Sequence, residues 1–159
     1  MGKEAKTNAM RMLERAKISY QVNLYECEEF IDGIDVADRL GQDYEMAFKT
    51  LVTQGKSGNY YVYVIPVHRE LDMKKAAKAV GEKSVEMLPV REINQITGYI
   101  RGGCTPIGMK KPFPTVIHES AKQQAEIAIS GGRHGVQIVL SPDDLATVIK
   151  ADFADVIQV

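Results

Sequence analysis

Apolar residues recur at Ala9, Met12, Leu13 and Ala16, the i, i+3, i+4, i+7 spacing of a helix with one buried face, and Thr7 stands where a cap belongs. The pattern predicts a first helix over 7–17. The period then changes to two, and "SYQVNLY" (19–25) alternates as a strand does. The acidic stretch 26–32 reads as loop, and "DGIDVADRLG" as a short helix ended by Gly41. In the centre, "FKTLVTQ" (48–54) and "YYVYVIPV" (60–67) flank Gly55-Lys56-Ser57-Gly58, a hairpin signal with a glycine-bearing loop. The second run is apolar or aromatic on both faces, which assigns it to the middle of a sheet.

A helix follows at 73–80, with Asp72 as cap, Met73, Ala76, Ala77 and Val80 as its apolar stripe and Gly81 as stop. Pro89 can open another short helix that closes at Gly98. Beyond it, "TVIHE" (115–119), "AEIAIS" (125–130) and "VQIVL" (136–140) read as strands, the last two joined by the glycine-rich "SGGRHG" (130–135). "SPDDLATVIK" opens a final helix: Ser141 caps it, Pro142 takes the first position, and Asp143 and Asp144 sit where the helix dipole favours acids. About six or seven strands with unevenly interspersed helices argue for an α/β (α+β) chain with a curled, mixed or largely antiparallel sheet and helices outside it. A doubly wound parallel fold would alternate strand and helix more regularly.

At 159 residues without repeat, linker or low-complexity tract, residues 1–159 are expected to form one domain. Two cysteines, Cys27 and Cys104, do not make a disulfide framework. The opening "MGKEAKTNAM" lacks the apolar core of a signal peptide, and no apolar run approaches a bilayer span. The expectation is a cytoplasmic protein with no membrane partner. Net charge is −1, yet its distribution is uneven. Residues 25–45 hold eight acids against Arg39, whereas 98–114 hold Arg101, Lys110 and Lys111 and no acid. A basic patch on a neutral body suits a short nucleic-acid end better than duplex DNA. Charge alone favours the plainer reading, scatter on a solvated surface.

The stretch "RGGCTPIG" (101–108) concentrates glycine, proline and positive charge. It is either a wall where backbone approaches an anionic ligand or a tolerant surface loop. No P-loop or dinucleotide fingerprint is present, and His68, His118 and His134 lack metal-ligand spacing, so neither cofactor nor metal is expected. Within this stretch Cys104 is the tempting nucleophile, since glycine-rich basic surroundings would lower a thiol pKa and expose the sulfur. It would need a base such as His134, and the preferred reading is a small side chain in a tight turn. Lys49, in "AFKTLV", is flanked by apolar residues. Such a lysine usually points to water; pointing inward, its compact charge must meet phosphate or carboxylate.

"FKTLV", "GYIRGGCTPIGMKK" and "SGGRHG" with the following I-x-L, in this order and at these separations, resemble the bacterial YbaK proteins, including their Gram-positive EbsC branch. These are aminoacyl-tRNA deacylases of the superfamily that includes the inserted editing domain of prolyl-tRNA synthetase. The resemblance covers nearly the whole chain and implies an α/β fold with a mixed, barrel-like sheet. It implies hydrolysis of a mischarged tRNA ester, chiefly Cys-tRNA(Pro), with the aminoacyl-tRNA acceptor end as partner. It ties activity to Lys49, with Thr50 beside it in the substrate site. It matches the glycine-rich loop at Gly102, Gly103, Thr105, Pro106 and Gly108, and the second glycine turn at Ser130, Gly131 and Gly132. Tyr20 and Phe30 fall where pocket residues are expected.

Gln137 stands where members often carry an acid, which weakens any protein carboxylate as base there. The implied chemistry is substrate-assisted: the cysteinyl thiol attacks its own ester while the protein places it. Gly102 and Gly103 would stabilise the oxyanion, Lys49 would anchor the terminal adenosine, and Arg101, Lys110 and Lys111 would attract the acceptor stem. Prolyl-tRNA synthetase could supply tRNA selectivity. The alternatives are an Ala-tRNA(Pro)-type deacylase and a non-catalytic module that binds an RNA end or nucleotide.

Overall fold

The computed structural model describes residues 6–26 and 31–159. Of the acidic stretch expected as loop, 27–30 lie outside the described residues, and the expected pocket residue Phe30 with them.

Helix α1 (Asn8–Arg15) starts where the Thr7 hydroxyl accepts from Met10 N–H and buries Ala9, Met10 and Leu13. Helices α2 (Gly33–Leu40) and α3 (Met73–Val80) each begin on an aspartate cap, Asp32 and Asp72, and end on a left-handed glycine, Gly41 and Gly81. A short 3-10 turn over Val90–Glu92 leads into α4 (Ile93–Thr97), closed by Gly98. Helix α5 (Pro142–Ile149) carries its cap on Ser141.

The strands are β1 (Gln21–Leu24), β2 (Phe48–Gly55), β3 (Tyr60–Pro66), β4 (Val85–Met87), β5 (Thr115–His118), β6 (Ile127–Ser130), β7 (Val136–Leu140) and β8 (Asp152–Ala154). The described residues thus form eight strands, in two sheets ordered β1-β7-β6 and β4-β2-β3-β5-β8. The first is antiparallel; in the second, β5 runs parallel to both β3 and β8. No closed barrel forms among the described residues. The expected single curled sheet of six or seven strands is corrected on both counts. Strands β4 and β8 are three residues each, too short to register as alternation. Among the described residues an isolated parallel bridge between Ala47 and Ala128 joins the two sheets.

Strand β3 is central, as its two-sided apolar pattern predicts. Val64 packs toward Phe48, Ile117, Ile129, Ile138 and Leu145, between the two sheets and under α1 and α5. Tyr63 and Ile65 face the other way, against Leu71, Ala76 and Ala77 of the α3 region. Each such buried side chain contributes about 1.5–3 kcal/mol of hydrophobic stabilisation.

One boundary of this architecture matters for function. The β2 edge away from β3 is shared by two neighbours. At its start Met46 C=O accepts from Ala128 N–H at 2.8 Å, and toward its end Val52 C=O accepts from Leu88 N–H at 2.9 Å. Strand β4 pairs only with Thr53, Gln54 and Gly55. Between these attachments no strand of the described residues covers the edge.

Candidate active site on the β2 edge

A cavity of about 360 Å³ fills that gap, a volume within the usual range of small-molecule sites. Five parts of the chain converge on it: β2, the start of α2, the Val90–Ile93 segment, and the two glycine-rich stretches at 101–104 and 129–130. Its described lining holds two cations, Lys49 and Arg101, and one acid, Asp32. The Asp32 carboxylate accepts from Asp35 N–H as the α2 cap.

Lys49 lines the cleft with its side chain 27% exposed, and its Nζ is 4.0 Å from Glu70 Oε2 on the open surface. That carboxylate is 78% exposed, so solvent screens the pair. The side chain therefore does not point simply to water, as a strand lysine usually does. Thr50 also lines the cleft, and its hydroxyl is buried without a hydrogen-bond partner.

The "RGGCTPIG" segment is no tolerant surface loop. Gly103 through Ile107 are buried. A Cβ on Gly103 would lie 2.8 Å from the Arg133 Cα, so glycine here lets the two glycine-rich stretches touch. The contact is bonded as well: Ser130 Oγ donates to Gly102 C=O at 3.4 Å, and His134 Nε2 lies 2.6 Å from Arg101 C=O. Since a carbonyl only accepts, Nε2 carries the proton and is not available as a base for Cys104.

Of the two glycines expected at the reacting carbonyl, Gly102 lines the cleft and Gly103 does not. The Gly103 N–H is already donated to Ile100 C=O at 2.9 Å, which removes it as an oxyanion donor. Thr105, Pro106 and Gly108 support the loop from behind. Thr105 is fully buried, and Gly108 C=O accepts from Asn8 Nδ2 at 3.0 Å. Gly131 abuts Val136, and Gly132 adopts φ 110° against Thr7. Lys110 and Lys111 are exposed outside the cleft, and Lys110 Nζ donates to Gln95 C=O.

Cys104 does line the cleft, but packed with Val52, Leu88 and Tyr99. Burial pushes its thiol up to about 11, the reverse of what its basic sequence neighbours suggest. Its small-side-chain role is the one the geometry fits. Gln137 is 5% exposed and lines the cleft as expected. Its Oε1 accepts from Gln42 Nε2 at 2.7 Å and Asn23 Nδ2 at 2.9 Å, and its Nε2 donates to Gln42 Oε1 at 2.9 Å. The wall here is a neutral, mutually bonded amide set. Tyr20 stands apart from the cleft. Its hydroxyl donates to Glu14 Oε2 at 2.6 Å, and burial with that bond pushes it up to about 12. Tyr25, five residues on, lines the cleft instead.

Sequence reasoning missed Tyr25, Gln42, Leu88 and Ile93. None carries a local motif; each arrives through the fold. Among the described residues no group of acids, histidines and cysteines could hold a metal ion, and no helix is long and apolar enough to cross a membrane.

Residues 32–148 match the family described as "Aminoacyl-tRNA editing domain". The chain is 46% identical over 154 residues to an Enterococcus faecalis protein named "Putative Cys-tRNA(Pro)/Cys-tRNA(Cys) deacylase EbsC", covering 96% of this chain and 94% of that one. Two solved structures share the fold. The "hypothetical protein APE2540" superposes with TM-score 0.85 at 22% identity, covering 93% of this chain and 97% of that one. A structure described as "a putative trans-editing enzyme for prolyl tRNA synthetase" superposes with TM-score 0.83 at 22% identity, covering 98% of this chain and 100% of that one.

Proposed function

This chain belongs to the aminoacyl-tRNA editing domain family, and from that premise we propose that it deacylates mischarged tRNA in the cleft on the β2 edge, cysteine on tRNA(Pro) being its chief substrate. The observation that carries the reading is Lys49. Its side chain is held in a cleft that Gly102 also lines, and among the described residues its one ion pair is with a screened carboxylate at 4.0 Å. That arrangement suits an anionic RNA end.

An aminoacyl ester is already activated, so modest help suffices. The one thiol of the cleft's described lining, Cys104, is kept protonated by burial and so makes a poor nucleophile. The substrate's own thiol supplies the attack. Its sulfur bonds the ester carbonyl carbon, the bond from that carbon to the ribose oxygen breaks, and the thiol proton ends on the released ribose hydroxyl. Water then opens the cyclic thioester. The protein contributes placement, which can supply up to about 7–11 kcal/mol when reacting atoms are held in register. Gly102 backbone at the developing oxyanion adds roughly 3–4 kcal/mol per donor.

Lys49 holds the terminal phosphate or the ribose 2′,3′ region, and Arg101 draws in the acceptor stem. Such contacts position RNA without reading its identity. The E. faecalis relative's name, which pairs tRNA(Pro) with tRNA(Cys), is in keeping with that. Prolyl-tRNA synthetase is the partner proposed to supply tRNA choice. The test is deacylation of purified Cys-tRNA(Pro) and Ala-tRNA(Pro). Rapid loss of cysteine supports the reading; preference for alanine would reassign the substrate, and binding without turnover would make the protein a non-catalytic module.

A further inference from the structure

A cavity lying over the face of a strand touches every second residue, because side chains alternate. This one touches Ala47 through Val52 without a gap. It therefore lies against the edge of β2, where backbone is presented. The register fixes which groups look into it. Val67 N–H donates to Ala47 C=O and Gly55 N–H to Asn59 C=O, so the odd-numbered residues of β2 exchange bonds with β3. The even-numbered residues point outward, as the bonds from Ala128 to Met46 and from Leu88 to Val52 attest. Thr50 lies between those bonds, two residues before Val52. Its N–H and C=O face the cleft, and among the described residues no strand pairs with it there.

Building on the deacylase reading above, we propose that the Thr50 peptide edge reads the terminal adenine of the tRNA. Adenine carries an amino donor, N6–H, next to a ring-nitrogen acceptor, N1 or N7. Thr50 offers the complement, a C=O beside an N–H on one side of the strand. The N6–H donates to the Thr50 carbonyl, and the ring nitrogen accepts from the Thr50 N–H. Oxo bases such as guanine and uracil present the reverse polarity at the corresponding edge. Met87 and Val90 border the same cleft with 46% and 54% of their surface exposed, apolar area against which a base face can lie. Lys49, one residue back, stands where the ribose-phosphate side of the same nucleotide would run. An added peptide strand is the competing occupant of an open edge. It fits less well, because the bonds at Met46 and Val52 close the edge on both sides and leave only Phe48 and Thr50 facing outward between them, too short a run for a strand.

The test varies the ligand. Cysteinylated acceptor-stem RNAs would end in adenosine, purine riboside (no amino group), 1-deazaadenosine or 7-deazaadenosine. Purine riboside is expected to lower kcat/KM about tenfold or more, and one of the two deaza analogues to do the same. Rates unchanged for purine riboside, or for both deaza analogues, would overturn the proposal. On the protein side, Thr50→Pro deletes the outward N–H without removing a bond to β3, a position where a strand tolerates proline. It is expected to fold and to lose the sensitivity to that ring nitrogen; retained sensitivity in the folded variant would overturn the proposal. If wild type leaves even the adenosine-ended ester intact, the deacylase reading fails, and the edge is judged separately by amide resonances. A shift of the Thr50 N–H with AMP and none with IMP supports it. A shift with an extended peptide and none with AMP overturns it.

Discussion

Replacing Lys49 by alanine separates what this residue does for the fold from what it does for the substrate. Its part in the fold is small. The Nζ reaches Glu70 Oε2 only at 4.0 Å, and the carboxylate side chain is 78% exposed. Screened pairs of this kind contribute about 0–1 kcal/mol. In a chain of 159 residues, 1 kcal/mol moves Tm by roughly 2–4 °C. Lys49→Ala should therefore melt within about 4 °C of wild type. Its part in the substrate complex is larger, because the lysine side chain is 27% exposed before any ligand covers it. Truncating one partner of a buried, hydrogen-bonded charge pair costs about 2–5 kcal/mol. That range lowers kcat/KM between roughly 30-fold and a few thousand-fold. Lys49→Arg should restore only part of the loss, since a planar guanidinium does not occupy the place of a compact ammonium. The assay is single-turnover deacylation of Cys-tRNA(Pro), run beside a thermal melt of each variant. A Lys49→Ala protein that melts like wild type and keeps most of its kcat/KM would remove Lys49 from the mechanism.

Gly103→Ala puts a Cβ 2.8 Å from the Arg133 Cα, so it should destabilise by about 1–3 kcal/mol, visible as a Tm drop of several degrees. Cys104→Ser should keep most of its activity, and the wild-type thiol should resist iodoacetamide at pH 8. A dead but folded serine variant would restore the thiol as nucleophile. Because the folded Cys104 holds its proton to about 11 against an ordinary 9.0, its contribution to stability is present below pH 9 and is lost as pH rises through that window. Burial holds His118 below its ordinary 6.5, and its Nδ1 accepts from Val156 N–H at 3.3 Å. The unfolded chain therefore takes up the proton first, so stability should fall as pH drops below about 6.5. Denaturant midpoints from pH 8 to 5 should show that slope in wild type and a shallower one in His118→Gln; equal slopes would refute it.

Local signals were legible where local physics decides. The caps at Thr7, Asp72 and Ser141, the stops at Gly41 and Gly81, and the two-sided apolar β3 all stand where the pattern puts them. Strands β4 and β8 were hidden because three residues cannot show a period, and their pairing with β2 and β5 is set by tertiary contacts. Cys104 shows why sequence neighbours mislead about charge. Its environment is Val52, Leu88 and Tyr99, from elsewhere in the chain, and their apolar burial outweighs the lysines downstream. Lys49 was identified by its strand and its motif. That the cleft runs along the strand's edge could not be read there, because it depends on where β6 and β4 let go of β2. Tyr20 is a position the family resemblance implies for the pocket; the cleft is lined by Tyr25 instead, because alternation assigns a face within a strand but not which end of the strand meets the cleft.

Two tRNA(Pro) esters that differ in one atom test the account most directly. Cys-tRNA(Pro) and Ser-tRNA(Pro) present the same ribose, the same carbonyl and the same acceptor stem to Lys49 and Gly102, and only the cysteinyl ester carries a thiol. Placement of a substrate thiol predicts rapid deacylation of the cysteinyl ester and a seryl ester lost no faster than in buffer. Equal rates for the two would contradict it, and would point to water activated by the protein.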